Sequence, residues 1–240
     1  MAPAEGELNG QRALITGGSG GIGLAIARVL RSAGAEVLLV ARAAGRLQRA
    51  AADSGAEPYA ADVSSVAEVE RLAAAVLARW DHGPDLVINA AGAFALAPLA
   101  ETTVESFDQQ IAANLRSVFL QIRTWLPHML RRGSGHIVTI GSIAGRVAFP
   151  ANGAYSASKF GVRGLHAVLT AELRGTGVRA TLIEPAATAT MLWDAVDREE
   201  QPDLPAPTEM LPPMAVAQAV LYAVAQPAEV AVSNLMVQRS

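Results

Sequence analysis

Residues 12–34 read RALITGGSGGIGLAIARVLRSAG. The apolar run RALIT predicts a buried strand at 12–16, and GIGLAIARVLRSAG predicts a helix over 21–34 stopped by Gly34. Between them stands Thr16-Gly17-Gly18-Ser19-Gly20-Gly21-Ile22-Gly23, which fits two glycine registers. Gly18, Gly20 and Gly23 match G-x-G-x-x-G, while Thr16, Gly17, Gly21 and Gly23 match T-G-x-x-x-G-x-G. A turn without side chains lets the backbone approach a pyrophosphate seated on the positive end of the following helix. Glycines also make tight turns that bind nothing, but a strand before and a helix after are the context that a dinucleotide site needs.

The same alternation of short apolar runs and longer helical segments continues outward from this turn. Strands are expected at 36–41, 57–61, 85–90, 136–141, 178–184 and, briefly, near 230–237, with helices at about 43–52, 152–175 and 214–225. Ser65 and Glu68 predict a capping box that opens a helix ending near Trp80. Thr102 and Glu105 predict another, opening one long helix that reaches about Arg132 and kinks at Pro127. Right-handed crossovers on such a series imply an α/β fold of the Rossmann type. The expectation is a doubly wound parallel sheet of about seven strands, order 3-2-1-4-5-6-7, with helices on both faces and the ligand at the carboxyl ends of the strands. Residues 1–240 are expected to form one catalytic domain. Pro and acidic residues crowd 194–213 (DAVDREEQPDLPAPTEMLPP), which predicts a substrate flap at about 187–213 rather than a linker.

Composition excludes several function classes. The chain has 240 residues, 51% of them hydrophobic and 17% charged, and no cysteine. A thiolate nucleophile, a disulfide and a sulfur-ligated metal are thereby ruled out, and no metal site is expected. A net charge of -3 gives no electrostatic case for nucleic acid. No apolar stretch is long enough to span a membrane, and the first ten residues lack the basic and apolar regions of a secretory leader, so a cytoplasmic location is expected.

Three positions point to chemistry. After the second strand come Ala41 and Arg42, where an acid would accept from the ribose hydroxyl of NAD. A guanidinium suits a 2′-phosphate instead, so NADP is expected to be preferred, with NAD the alternative. The duller reading is a solvated Arg in an Arg-rich chain. Of the 19 basic residues only Lys159 is Lys, and it follows Tyr155, one of three tyrosines, by four residues. On a helix that spacing shares one face. A phenol has a pKa of roughly 10, and a neighbouring ammonium favours the phenolate, which makes Tyr155 a proton donor and acceptor usable nearer neutrality. Ser142 follows the fifth strand directly, at the edge where a ligand should lie.

With these motifs in this order, the chain resembles the short-chain dehydrogenase/reductase family in its shorter, single-domain branch, over nearly its whole length. The resemblance rests on Thr16-Gly17-x-x-x-Gly21-x-Gly23, Asp62-Val63, Asn89-Ala90-Ala91-Gly92, Asn114, Ser142, Tyr155-x-x-x-Lys159 and Pro185 onward. It implies that Ser19 and Ile22 join the glycines at the cofactor, and that Asp62 and Val63 contact the adenine. It further implies that Asn89, Ala90 and Gly92 shape the floor beneath the cofactor, and that Asn114 holds a water in a proton relay reaching Lys159. Ser142 would hydrogen-bond the substrate carbonyl, and Tyr155 and Lys159 would also face the cofactor, Lys159 through the nicotinamide ribose. Plainer roles exist: Asp62 as a helix N-cap, Asn89 as a polar turn residue, Asn114 as a helix-interior residue, although helix interiors disfavour Asn. The family usually reads Pro-Gly-x-x-x-Thr after the sixth strand. Here Pro185-Ala186-Ala187-Thr188-Ala189-Thr190 puts Ala where Gly is expected, which puts the local backbone in question. Thr190 best matches the Thr that contacts the carboxamide, with Thr188 a nearby candidate.

Candidate pocket walls are Ala93–Leu96, Ile143–Phe149 and Met191–Trp193, mostly apolar. From Asp194 to Glu209 stand six acids and one base, Arg198, which would repel an anionic carrier. The expected substrate is therefore a small, apolar carbonyl compound or its secondary alcohol. The expected activity is that of an NADP-preferring alcohol dehydrogenase/carbonyl reductase, with 3-oxoacyl reduction the runner-up. The C-terminus lacks the Gly-Gly ending common in ketoacyl-carrier-protein reductases. A rival from another class is a dinucleotide sensor without turnover, which would have no need of Ser142, Tyr155 and Lys159 together. Epimerase and dehydratase relatives usually carry a longer substrate domain. The resemblance also implies a homo-oligomer, dimer or tetramer, joined through the helices at about 103–132 and 152–175.

Overall fold

A computed structural model of the chain describes residues 7–194, 196 and 204–240. Seven strands form one sheet: β1 Arg12–Thr16, β2 Glu36–Ala41, β3 Glu57–Ala60, β4 Leu86–Asn89, β5 Gly135–Ile140, β6 Val178–Pro185 and β7 Asn234–Val237. Their order is β3-β2-β1-β4-β5-β6-β7 and every pairing is parallel, as the sequence predicts. The helices are α1 Gly21–Ser32, α2 Ala44–Ser54, α3 Val66–Arg79, α4 Val104–Ile111, α5 Ser117–Arg132, α6 Gly153–Glu172 and α7 Pro213–Val224.

The strands read as continuous apolar runs because both faces of the sheet are covered. Along β1, Ala13 and Ile15 enter one core with Ile26 and Leu30 of α1 and Val216 and Val220 of α7. Leu14 enters the other, with Leu72 and Val76 of α3, Trp125 of α5 and Leu169 of α6. Burying each such Leu or Ile contributes roughly 1.5–3 kcal/mol. From β1 the chain winds outward through β2 and β3, then returns to start β4 on the other side. The crevice for a ligand opens at that reversal, outside the carboxyl ends of β1 and β4.

Local structure departs from expectation at several points. The long helix expected from Thr102 is two helices joined by a π turn at Ala112–Arg116, and Asn114 sits in that turn. Its N-cap is Thr103, whose hydroxyl accepts from Ser106 N–H at 3.1 Å. Thr102 instead donates its hydroxyl to the carbonyls of Ala97 and Pro98. α5 runs on through Pro127, because buried Trp125 and Met129 anchor the turns on either side of it. Of the Ser65–Glu68 box only the Ser65 half forms; the Glu68 carboxylate accepts from Asp62 N–H at 2.7 Å instead. β7 begins at Asn234, not near 230, because Arg179 and Thr181 take the carbonyls of Val230 and Val232. Ala186 causes no strain. Among the described non-glycine residues only Ala151 has a positive φ, and Ala186 N–H joins the sheet through Val237 O at 2.8 Å.

Within the expected flap, short 3-10 turns lie at Met191–Trp193 and Pro207–Glu209. Asp197, Arg198, Glu199, Glu200 and Asp203, which carry most of its charge, lie outside the described residues, as do residues 1–6 of the expected leader-free start. Among the described residues no helix is long and apolar enough to cross a membrane.

Candidate active site

The glycine turn is built to let backbones touch. A Cβ on Gly17, whose φ is +71°, would lie 2.5 Å from Ala90 O, and one on Gly23 would lie 2.4 Å from Gly17 O. Among the described residues α1 starts from Gly20 with no side-chain cap, and its first turn holds no acid, so its free N–H groups and positive end face the cavity side. Ser19, Gly21 and Ile22 join these glycines along one wall of a cavity of about 400 Å³. Arg42, Asp62, Val63, Ala90 and Gly92 line its remainder. These residues fit a dinucleotide phosphate: bare N–H groups at the helix end and a basic side chain beyond the second strand.

Asp62 accepts from Ser64 N–H (2.9 Å) and Ser64 Oγ (2.6 Å) and lies 4.0 Å from Arg42. Burial pushes its carboxyl up, but the Ser64 bonds and the Arg42 charge bring it below the usual value, so it stays an acceptor. Arg46 also faces this cavity, a residue that the sequence reading passed over. Its signal was there: four residues after Arg42, in the first turn of α2.

Thr16 and Asn89 lie beneath the cavity, both buried. The Thr16 hydroxyl accepts from Ala90 and Ala91 N–H and donates to Ile88 O, so it pins β1 to the end of β4. Asn89 donates to Thr139 Oγ1 at 3.3 Å, and its Oδ1 is buried without a partner among the described residues.

A second cavity, of about 290 Å³, continues from the first over the ends of β4, β5 and β6. It brings together Asn114, Ser142, Tyr155, Lys159, Thr188 and Thr190, with Pro185 in its floor. Lys159, 6% exposed, donates from Nζ to Ile140 O at 3.0 Å and lies 5.6 Å from the centre of the Tyr155 ring. Burial pushes the Lys159 pKa down to about 8. Burial likewise pushes the Tyr155 phenol up to about 12, and a hydrogen-bonding interaction with Ser142 pulls the other way. In the protein alone the phenol is therefore not lowered, contrary to what the sequence reading expected. Burial sets the direction, and the Lys159 head is turned to the Ile140 carbonyl.

Asn114 is fully buried and its amide is spent on protein: Oδ1 accepts from Ala93 N–H (2.8 Å), and Nδ2 donates to Ala93 O (2.9 Å) and Ser158 Oγ (2.9 Å). The side chain thus ties the loop after β4 to α6. Thr188 turns its hydroxyl to Ala186 O, whereas Thr190 stands where the two cavities meet.

Phe94 forms the aromatic wall. Its ring meets those of Tyr155 and Trp193 edge-on, each with centroids 4.9 Å apart. Leu96, Ile143, Phe149 and Leu192 line the same cavity, while Met191 lines the neighbouring one and Arg146 and Val147 line neither. Asn152 is a lining residue that sequence reasoning missed, whereas Leu204 and Pro205 fall within the stretch expected as a flap. Among the described lining residues Lys159 is the only charged one.

With this geometry in hand, similarity to known proteins is informative. The sequence profile of the short chain dehydrogenase family matches residues 11–201. The chain is 35% identical over 243 residues to glycine betaine reductase of Emericella nidulans, covering 98% of this chain but only 19% of that protein's length. It is 38% identical over 196 residues to D-threitol dehydrogenase of Mycolicibacterium smegmatis, covering 78% of this chain and 75% of that one. The closed form of a serine dehydrogenase complexed with NADP+ matches at TM-score 0.85 and 30% identity, over 95% of this chain and 94% of that one.

Proposed function

This chain belongs to the short-chain dehydrogenase/reductase family of oxidoreductases, and from that premise we propose that it is an NADP-preferring alcohol dehydrogenase/carbonyl reductase. It interconverts a small, uncharged, mainly apolar carbonyl compound and its secondary alcohol. The observation that carries this reading is the placement of Ser142, Tyr155 and Lys159 around one apolar cavity that adjoins the glycine turn.

What the bound cofactor supplies is the hydride, given to or taken from the carbonyl carbon. The protein supplies position and the proton. Ser142 holds and polarises the carbonyl oxygen, and Tyr155, kept protonated by burial, gives its phenolic proton to that oxygen. Lys159 favours the phenolate left behind and would hold the nicotinamide ribose. Asn114, its amide taken up by Ala93 and Ser158, supports the relay that returns a proton to Lys159 by tying the loop after β4 to α6. Gly17, Ser19, Gly21, Ile22 and Gly23 hold the pyrophosphate. Asp62 and Val63 take the adenine, Ala90 and Gly92 bound the floor that Thr16 and Asn89 support, and Pro185, Thr188 and Thr190 flank the carboxamide. Arg42, with Arg46 lining the same cavity, supports NADP over NAD, because two guanidiniums there suit a 2′-phosphate.

We read residues 1–240 as one catalytic domain with a substrate flap at 187–213, acting in the cytoplasm as a homo-oligomer. Phe107, Phe119, Leu130, Phe160 and Val168 leave α4, α5 and α6 with exposed apolar side chains, which supports association through those helices.

Initial rates over a panel of ketones and aldehydes, with NADPH and NADH in parallel, test the assignment. Turnover with NADPH that Tyr155→Phe abolishes while NADPH still binds is the expected result. Tight NADPH binding with no turnover of any carbonyl would leave a dinucleotide sensor instead.

A further inference from the structure

Glu184, at the carboxyl end of β6, is only 1% exposed. Its Oε2 accepts from Arg146 Nε (2.7 Å), Arg146 Nη2 (2.5 Å) and Asn234 Nδ2 (2.7 Å). Arg146 Nη2 also donates to Asn234 Oδ1 at 2.9 Å. The second oxygen, Oε1, is buried without a hydrogen-bond partner among the described residues. Taking a carboxylate out of water is costly, and a buried ion pair is often no more stabilising than apolar residues of the same volume. Stability alone therefore does not account for a half-satisfied acid here.

What the cluster does is geometrical. Arg146 closes the 3-10 turn Ile143–Gly145, donating its N–H to Ile143 O at 2.9 Å. Ser142 opens the same turn, its Oγ accepting from Ala144 N–H at 3.1 Å. One carboxylate thus joins the segment carrying Ser142 to the end of β6, just before Pro185, and to the first residue of β7. Neither Glu184 nor Arg146 lines the cavity at Tyr155.

We propose that Glu184 and Arg146 are positioning residues that hold the Ser142 hydroxyl in the cavity it shares with Tyr155 by fixing the turn Ile143–Gly145. The inference rests on the carbonyl-reductase reading of this site. It separates from a purely structural role because its effect must pass through Ser142. Ser142 is also the group that pulls the Tyr155 phenol down, and Lys159 is the one charged side chain among the described residues that line this cavity with Tyr155.

The test is a double-mutant cycle in the full chain: Arg146→Ala, Ser142→Ala and the pair, each assayed for ketone reduction, its pH profile and NADPH affinity. Arg146→Ala alone is expected to lower kcat/KM by about tenfold, with the NADPH dissociation constant changed by less than about twofold. In the Ser142→Ala background the same substitution should add less than about twofold. The basic limb of the Arg146→Ala pH profile should also move upward, toward that of Ser142→Ala. Arg146→Lys, which keeps the charge without the fork, should fall between wild type and Arg146→Ala. Should Arg146→Ala fail to fold, Asn234→Ala takes its place in the cycle, removing a donor to the same carboxylate from an exposed position. Equal losses in both backgrounds, or an unmoved pH profile, overturn the inference while an active wild type keeps the reading of the site. A wild type inert toward every carbonyl fails that reading, and the inference with it.

Discussion

Gly145 packs bare backbone against the main-chain carbonyl of Lys159: a Cβ there would lie 2.7 Å from that oxygen. The turn after Ser142 and the helix bearing Tyr155 and Lys159 are therefore seated on one another without an intervening side chain. Gly145→Ala must push them apart, at about 1–3 kcal/mol by analogy with other overpacked sites. Urea melting should register that loss, and ketone turnover should fall by more than NADPH affinity does. A variant with wild-type turnover would mean that the seat has slack to spare.

Two guanidiniums at one end of the cofactor cavity give a direct test of NADP preference. Arg42 extends into solvent, with 64% of its side chain exposed, so its removal should leave the fold intact. Each charge-assisted hydrogen bond to a phosphate is worth about 1.5 kcal/mol or more, roughly tenfold in affinity. Arg42→Ala with Arg46→Ala should raise the KM for NADPH at least about tenfold and leave that for NADH almost unchanged. Equal losses with both cofactors would assign the pair to the surface.

How far the sequence was legible depended on the range of the interaction. Strands such as β1 and β4 could be read because Ile15 and Ile88 sit in unbroken apolar runs, a pattern that parallel sheets covered on both faces require. Tyr155 and Lys159 could be placed on one face by helical spacing alone. The π turn at Asn114 could not, because a single wide turn inside a helical stretch carries no residue-type signature of its own. Thr102 and Thr103 are equivalent as letters, and only the position of the Ala97 and Pro98 carbonyls decides which of them caps the helix. Glu184 meets Arg146 and Asn234 from segments far apart in the chain, so no local pattern announced it. The Tyr155 phenol went the other way from the sequence argument because spacing reports the nearby ammonium and not the depth of burial.

His136 should make the protein acid-sensitive above the range where most carboxylates titrate. Thr181 donates its hydroxyl to Val232 O, so it accepts from His136 Nε2–H at 2.7 Å, which leaves Nδ1 unprotonated and buried without a partner among the described residues. Burial, helped by the charges of Arg179 and His166, pushes the imidazole pKa down to about 3. The unfolded chain takes up a proton here near pH 6.5 and the folded chain does not, so stability present above about 6.5 is lost progressively as pH falls toward 3. Chemical denaturation should show stability already declining between about pH 6 and 5, before most carboxylates protonate. In His136→Leu that part of the decline should flatten; an unchanged slope would shift the acid sensitivity to other groups.

The single lysine offers the most discriminating substitution. Its Nζ fits a buried space and donates to one carbonyl, Ile140 O, whereas a guanidinium is larger, planar and carries five donors. Lys159→Arg preserves the charge, so a purely electrostatic role predicts little change, but the fork cannot be satisfied in that space and cannot lose its proton. Turnover should fall at least about a hundredfold, the scale of misplacing a catalytic group by about 1 Å. The pH dependence of stability offers a second handle. With the Lys159 pKa near 8 in the folded protein and 10.5 as the reference, the unfolded chain binds the extra proton between those values, so wild-type stability gains with rising pH across that window. Lys159→Arg, which stays charged in both states, should lack that gain. Full activity in the variant, or an identical pH–stability curve, would reduce Lys159 to a packing residue.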